Sequence, residues 1–373
     1  MTKQYRNIFI AGIKDKRFDL TVENGRFSSV TESFLPPSDG AHTDLWIAPG
    51  LIDLHVHLAW TDFDSADQQK RTANEIEHLQ AQAMEATLQA GVTTVRDAGG
   101  LLPDDAERLS RKYHISLQVV SCGAMLGSED AQGCRYLEKR VEQISKNGAT
   151  WIKLFATGGL GSPTEKVLNP VFSREEFFTI VHCAHAHQRK VMVHTWGGPT
   201  LDWTVEAGAD TAEHGVFMTA DQAFQLAQCH IPLIPTTAIY RIAADPTGAL
   251  ALPRELCERA ARAAQAHMKS VRYAKRAGVL IGFGTDFATP ALHGRNPEEL
   301  DTLMDCGLTR REAWQAATTT ASEILGCGET LGRIQNGSTA DAVIYNRDPY
   351  EVPDATELRK SMVSVIKGTA KSY

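Results

Sequence analysis

Six side chains able to ligate a metal end apolar stretches of this 373-residue chain: His55, His57, Lys153, His194, His214 and Asp286. In Gly50-Leu51-Ile52-Asp53-Leu54-His55-Val56-His57-Leu58 the two-residue period of a strand puts both imidazoles on one face, close enough to chelate one ion. Each of the other four also ends a β-branched or apolar stretch of about four to seven residues, the usual strand length. A lone His-x-His carries little weight, because chance and half-exposed strands both produce it. Five segments ending in ligands, in one chain order, carry much more. Histidines and carboxylates suit a zinc-like divalent ion, with neutral imidazoles bound at about 2.0–2.1 Å. Five or six ligands exceed what one catalytic tetrahedral ion with an open position needs. They suit two ions bridged by a shared group.

Lys153 is the candidate bridge. Trp151-Ile152-Lys153-Leu154-Phe155 places a lysine in a nearly apolar strand, where an ammonium is costly unless paired. Kept neutral there, the amine is nucleophilic and can take up carbon dioxide, becoming a carbamate whose two oxygens can span two cations. The bland alternative is a lysine that snorkels to the mouth of the fold as a plain cation. The four histidines favour the bridge.

These residues must be positioned by repeated elements. Residues 1–49 read as short strands, with alternation over 18–22, an Asn24-Gly25 hairpin turn, and a return over 26–30. From 50 to 329 the texture is strand, helix, strand, helix. Strand candidates are 50–58, 93–97, 115–121, 151–156, 191–195, 211–214, 231–235 and 279–284, and the longest amphipathic stretches are 73–90 and 255–276. Ser173 with Glu176, and Thr309 with Glu312, form capping boxes before helices expected to run to His187 and over 313–325. Eight strands alternating with helices predict an α/β fold, a closed (β/α)₈ TIM barrel, whose strand ends converge on one face. Residues 330–373 bring further strands, at 332–334, 340–345 and 362–366. Paired with 1–49, they predict a small β-sandwich-like domain built from both chain ends. A doubly wound open sheet is disfavoured, because no Gly-x-Gly-x-x-Gly follows the first barrel strand and the ligands are spread over the whole strand set.

Hydrophobic residues at 43% and charged residues at 22% are ordinary for a globular protein. A net charge of −7 with no basic stripe argues against a nucleic-acid partner. Seven scattered cysteines form neither a disulfide framework nor Cys-x-x-Cys zinc spacing, which fits a reducing cytoplasm. No apolar signal core and no membrane-length apolar window is found. The partner expected is a small molecule, and homo-oligomerisation is left open.

The constellation resembles the amidohydrolase superfamily, in particular its prolidase-like and imidazolonepropionase-related metal-dependent hydrolases. The resemblance runs from Ala48-Pro49-Gly50 through His57, Gly91-Val92-Thr93-Thr94-Val95-Arg96-Asp97 and Ile152–Gly159 to Val193-His194, Glu213-His214-Gly215, Pro235-Thr236 and Gly284-Thr285-Asp286. It closes with Leu331-Gly332-Arg333-Ile334 and Gly337-Ser338-Thr339-Ala340-Asp341. It implies two divalent ions, zinc by expectation, with His55, His57 and Asp286 around the buried ion and His194 and His214 around the exposed one. An N6-carboxylated Lys153 would join them. It further implies a metal-bridging hydroxide as nucleophile, Asp286 as general base and acid, and Tyr240 reaching a substrate carbonyl or carboxylate. His293, followed by Gly294, matches the family at the mouth.

Other residues are weighed on their own chemistry. Arg241 can pair a substrate carboxylate bidentately, although an exposed arginine is commoner. Asp53, on the face of His55 and His57, suits a hydrogen bond to a ligand or a neighbouring strand better than metal contact. Arg96 and Asp97 read as an internal ion pair, Cys122 as a buried thiol, and the remaining histidines (42, 78, 114, 182, 185, 187, 230 and 267) as structural. The loop Cys122–Glu129 lacks the Gly-Gly-His stretch common in relatives, and the chain is shorter than most, so the substrate stays open. Cleavage of an amide C–N bond, in a dipeptide, N-acyl amino acid or cyclic amide, leads. Deamination or lactone opening on the same site follows, and a non-catalytic scaffold is remote because all six ligand positions are filled.

Overall fold

The computed structural model describes residues 2–34, 44–63, 65–162 and 167–368. Strands β1 (Lys3–Ile10), β2 (Arg17–Glu23), β3 (Arg26–Glu32) and β4 (Trp46–Pro49) come first. A series separated by helices follows: β5 (Leu51–Val56), β6 (Val92–Asp97), β7 (Gln118–Ser121), β8 (Met125–Leu126), β9 (Trp151–Phe155), β10 (Lys190–Thr195), β11 (Thr211–His214) and β12 (Leu233–Ile234). Strands β13 (Ala342–Tyr345) and β14 (Met362–Ile366) lie near the end of the chain.

Both chain ends enter one sheet, in the order β14-β13-β4-β1-β2-β3. The hairpin between β2 and β3 turns at Asn24 (φ 49°) and Gly25 (φ 74°), the paired positive angles of a type I′ turn. β4 runs antiparallel to β13, from Trp46 opposite Tyr345 to Pro49 opposite Ala342. Ile8, Leu20, Phe27, Ile47, Ala342 and Ile344 form the buried face. Six strands in one continuous sheet thus stand where a sandwich-like arrangement is expected from the sequence. Gly332-Arg333-Ile334 is not a strand: Gly332 has φ 69° and lies against the Thr318 carbonyl, and only Thr339 bridges to Arg26.

The parallel strands carry the residues of interest. β5 and β6 are buried along their whole length, as a sheet covered on both faces demands. Hydrogen bonds draw two sheets, β5-β6-β7 and β12-β11-β10-β9-β8. Among the described residues no ladder joins β7 to β8, so the pairing falls short of the closed eight-stranded barrel that the alternation predicts. At the other seam, the expected strand over 279–284 is irregular yet stitches the two sheets together. Gly282 N–H donates to the Leu233 carbonyl at 2.9 Å, Leu54 N–H donates to Phe283 at 2.9 Å and His57 N–H to Phe287 at 2.9 Å.

The helices between strands follow their capping signals. Thr72 and Glu75 cap Ala73–Gln89 reciprocally, and Ser173 and Glu176 do the same for Arg174–Ala186. The single helix expected over 313–325 is two, Arg310–Ala316 and Thr319–Leu325. The break is at Thr318, whose backbone leaves the helical region and whose hydroxyl donates to the Trp314 carbonyl at 2.6 Å. No helix among the described residues is long and apolar enough to cross a membrane.

The irregular seam depends on close approach. A methyl added at Gly284 would overlap Ile234 Cγ2 and stand 2.9 Å from His55 Cβ. Gly284→Ala is expected to cost about 1–3 kcal/mol of stability through overpacking, read as a lower urea midpoint. An unchanged midpoint would mean the seam yields without strain.

Candidate metal centre

The predicted ligands come together, although not all end strands as expected: Lys153 stands in the middle of β9, and Asp286 follows the irregular segment. His55, His57 and Asp286 offer ligand atoms within 4.8 Å of one another. Asp286 Oδ1 lies 3.4 Å from His55 Nε2 and 3.3 Å from His57 Nε2. Lys153 Nζ faces the same His55 nitrogen at 3.0 Å. The ring of His214 packs 4.9 Å from that of His55 and 4.5 Å from that of His194, centroid to centroid. Lys153 and His55 are fully buried, and Asp286 is open on one side.

Each imidazole is held by the nitrogen that faces away from this cluster. His55 Nδ1–H donates to Glu213 Oε2 at 2.6 Å, and His57 Nδ1–H donates to the Gly99 carbonyl at 3.1 Å. His194 Nε2–H donates to the Gly158 carbonyl at 3.2 Å, leaving Nδ1 as its free nitrogen. His214 Nδ1 meets Thr236 Oγ1 at 2.7 Å, and its Nε2 is buried without a partner. A buried nitrogen left bare is costly in apolar surroundings and is what a metal ion would satisfy. The donor set therefore fits divalent ions: His55, His57 and Asp286 hold one group of lone pairs, with Lys153, His194 and His214 beside it.

The backbone at these positions is strained in a consistent way. His214 (φ 70°), Thr236 (φ 56°) and Asp286 (φ 56°) all adopt the left-handed region that favours glycine. Asp286 is fixed there by its N–H, which donates to the His55 carbonyl at 2.6 Å. Thr236 leads into the short helix Thr237–Ala243, whose first amides donate to the buried Glu299 carboxylate at 2.8 and 2.6 Å. Burial pushes the Glu299 carboxyl up to about 8. Burial likewise pushes His55 and His214 well below the ordinary imidazole value and His194 to about 3, so the rings are neutral and available as ligands.

Several supporting residues were not assigned a role from sequence. Glu213 sits between two partners: one oxygen receives His55, the other receives Arg96 Nη2–H at 2.9 Å. Arg96 is fully buried, donates also to the Leu54 carbonyl at 2.7 Å, and stacks over Trp151 at 4.3 Å. The expected Arg96–Asp97 ion pair is therefore corrected. Neighbours in a strand point to opposite faces, and Asp97 instead accepts the amides of Leu58, Gly99 and Leu101. Asp53 behaves as expected, accepting from His55 N–H at 3.1 Å, the Thr285 hydroxyl at 2.8 Å and Asn296 at 2.9 Å. The position of Glu213 beside His214 on a four-residue strand was the available signal.

A cavity of about 310 Å³ opens onto the cluster and is lined by His57, His194 and Asp286 together with Trp60, Trp196 and Tyr240. Trp60 stacks on His57 with centroids 4.3 Å apart. Tyr240 is a buried wall residue rather than a rim residue, edge-on to Trp196 and His214. Burial, then the Asp286 charge, pushes its hydroxyl well above the ordinary value. Arg241 points away, into an ion pair with Asp305, and is not part of the cavity wall. His293 lies behind His57 with Nδ1 3.3 Å from the Thr87 hydroxyl and does not line the cavity either. His267, taken as structural, donates from Nε2 to the His214 carbonyl at 2.8 Å and packs on Tyr240. Cys122 is buried 3.2 Å from the Met192 sulfur. His185 pairs with Asp210 at an exposed helix end, and His42 lies outside the described residues.

His55, His57 and Asp286, beside this cavity, could hold a metal ion. Comparison with known proteins gives the family. The amidohydrolase family model matches residues 46–370, and the chain belongs to that family. It is 27% identical over 365 residues to an uncharacterized protein of Mycobacterium tuberculosis, covering 92% of this chain and 90% of that one. It is 25% identical over 383 residues to ochratoxinase of Aspergillus niger, covering 92% and 79%. Among solved structures, a prolidase complexed with N-methylphosphonate-L-proline superposes with a TM-score of 0.88 at 22% identity, covering 99% of each chain, which shows a common fold.

Burial holds His267 down to about 4, so the folded chain refuses a proton that the unfolded chain takes up below about 6.5. Its contribution to stability is complete above that value and is lost as the pH falls toward 4. His267→Gln is therefore expected to destabilise the protein more at pH 7 than at pH 5, the penalty shrinking by about 2 kcal/mol. Urea midpoints of both proteins at the two pH values check this, and a pH-independent penalty would contradict it.

Proposed function

We propose that this amidohydrolase cleaves an amide C–N bond in a small molecule at a binuclear centre. Two divalent ions, zinc by the chemistry of the donors, would be held by His55, His57 and Asp286 on one side and by His194 and His214 on the other. Lys153, as a carbamate, would span them. The supporting observation is the buried, partnerless His214 Nε2 beside His55 Nε2, which faces the buried Lys153 amine at 3.0 Å. Burial also pushes the Lys153 amine down to about 8, against the pull of Glu213 and Asp286, which raises the uncharged fraction that reacts with carbon dioxide. The architecture proposed is a closed (β/α)₈ barrel over residues 50–329, with a small β domain from 1–49 and 330–373. The ordered strand series and the common fold with prolidase support it.

When bound, the ions supply a water of lowered pKa and a Lewis acid. The chain's own residues do the rest. The Asp286 carboxylate, exposed toward the cavity, takes a proton from the attacking water and returns it to the leaving nitrogen. The Tyr240 hydroxyl, kept protonated by burial, donates to the substrate carbonyl oxygen. Water adds to the carbonyl carbon, the C–N bond breaks, and a carboxylic acid and an amine leave. The likeness to prolidase and ochratoxinase supports a C–N bond as target rather than a lactone.

Elemental analysis of protein loaded with zinc and bicarbonate is expected to find two equivalents of metal. Lys153→Ala should fall below two and lose turnover, whereas full metal content at a near-normal rate would rule out the bridge. Asp286→Asn should keep most of the metal and lose about 10²–10⁴-fold in rate, and a mild loss would remove Asp286 as proton carrier. Release of ammonia in place of a larger amine would redirect the reading to deamination.

A further inference from the structure

We infer that Trp196 is a positioning residue for Tyr240: its indole N–H and the Thr236 hydroxyl occupy the accepting side of the phenol oxygen, so the phenol proton turns into the cavity toward the substrate. The inference rests on the amide-cleavage reading, in which Tyr240 donates to the substrate oxygen, and specifies what gives that donation its direction. The Trp196 indole N–H is an orphan. Nε1 is buried and has no hydrogen-bond partner among the described residues. A buried indole N–H ordinarily finds an acceptor, because leaving it bare forfeits its hydration for nothing. The ring forms part of the cavity wall while the nitrogen itself is covered, so a substrate does not reach it directly. The neighbour that fits is Tyr240, whose ring stands edge-on at 75° with centroids 5.4 Å apart. Burial and then the Asp286 charge push the phenol pKa up, and the Trp196 N–H followed by the Thr236 hydroxyl pull it down, which places both donors beside the phenol oxygen. A small shift of either ring closes the bond.

The indole is held in place before any substrate arrives. The Trp196 backbone N–H donates to Thr157 Oγ1 at 3.1 Å, its carbonyl accepts from the Phe217 amide at 2.6 Å, and its ring packs on that of Phe217 at 5.9 Å between centroids. Thr236 completes the set. With Nε2 of His214 left bare for a metal, Nδ1 carries the ring proton and donates it to Thr236 Oγ1 at 2.7 Å. The Thr236 hydroxyl then has its own proton to pass on, and Tyr240 stands one helical turn ahead in Thr237–Ala243. A phenol oxygen accepts through its lone pairs and holds a single proton. With the accepting side taken by two donors, that proton has the cavity left to point into, and the incoming bonds polarise the O–H. Tyr240 so arranged presents a donor, never an acceptor, to the oxygen on which negative charge develops.

Two measurements on the zinc- and bicarbonate-loaded enzyme test this. In protein carrying ¹⁵N-labelled tryptophan six indole N–H signals are expected, and Tyr240→Phe, which keeps the ring and removes the oxygen, should move one of them upfield. Trp196→Phe identifies that signal by deleting it. No movement, or movement of a different signal, overturns the inference. The second measurement is binding of N-benzyl methylphosphonamidate, the tetrahedral counterpart of an amide under attack by water. Trp196→Phe is expected to weaken it about tenfold beside an intact Tyr240, and less than about twofold in the Tyr240→Phe background. Equal weakening in both backgrounds, or none in either, would mean that the indole only packs, and overturns the inference. Should Trp196→Phe not fold, the wild-type and Tyr240→Phe spectra decide alone: an upfield shift supports the inference and unchanged signals overturn it. A wild type that ignores the phosphonamidate while its indole signal responds to Tyr240→Phe supports the inference and counts against amide cleavage.

Discussion

A guanidinium buried without access to water constrains everything around it. Arg96 is 0% exposed, and each of its donors must end on an oxygen inside the fold. It reaches the Leu54 carbonyl of β5 and the Thr211 hydroxyl and Glu213 carboxylate of β11, and so spans the space between the two parallel sheets. Glu213 in turn fixes the Nδ1 proton of His55, leaving Nε2 as the lone pair directed at Lys153 and Asp286. The neutralisation of one internal charge and the orientation of the innermost histidine are thus the same hydrogen-bonded chain. Asp53 repeats the arrangement one layer away, tying β5 to Thr285 and so to the turn that carries Asp286.

Much of this was legible in the chain because it is periodic. The alternation beginning in β5 places His55 and His57 together, and the apolar runs mark β9, β10 and β11, which carry Lys153, His194 and His214. Capping pairs such as Ser173 with Glu176 announce helix starts because two amides and two side chains satisfy each other locally. What periodicity does not encode is partner choice across the fold. Arg96 and Glu213 are 117 residues apart, and nothing local distinguishes that pairing from the adjacent Asp97 except the strand rule that neighbours face opposite ways. The segment over 279–284 was read as a strand because its apolar run looks like one, whereas Gly282 and Gly284 let it press against Leu54 and His55 instead of pleating regularly.

The strained residues share a location. His214, Thr236 and Asp286 turn the chain sharply just where strands end, so that each side chain is aimed back over the sheet and not along it. Such conformations persist only where neighbours over-determine them. Here the neighbours are the His267 ring on the His214 carbonyl, the Glu299 carboxylate at the start of the helix after Thr236, and the His55 carbonyl on the Asp286 amide. In the sequence His267 was read only as structural and Glu299 was given no role, since their function is to hold other residues in place.

The pairing of β4 with β13 joins positions almost three hundred residues apart, immediately before the strand that bears His55 and His57. On the ribosome, β4 emerges almost three hundred residues before β13 and waits for that neighbour while the intervening chain is made. Native register at that edge therefore waits until β13 is made, and an unpaired edge persists in the nascent chain during the interval. The strand leading into the first histidine pair thus gains its β13 neighbour only after almost three hundred further residues have been added.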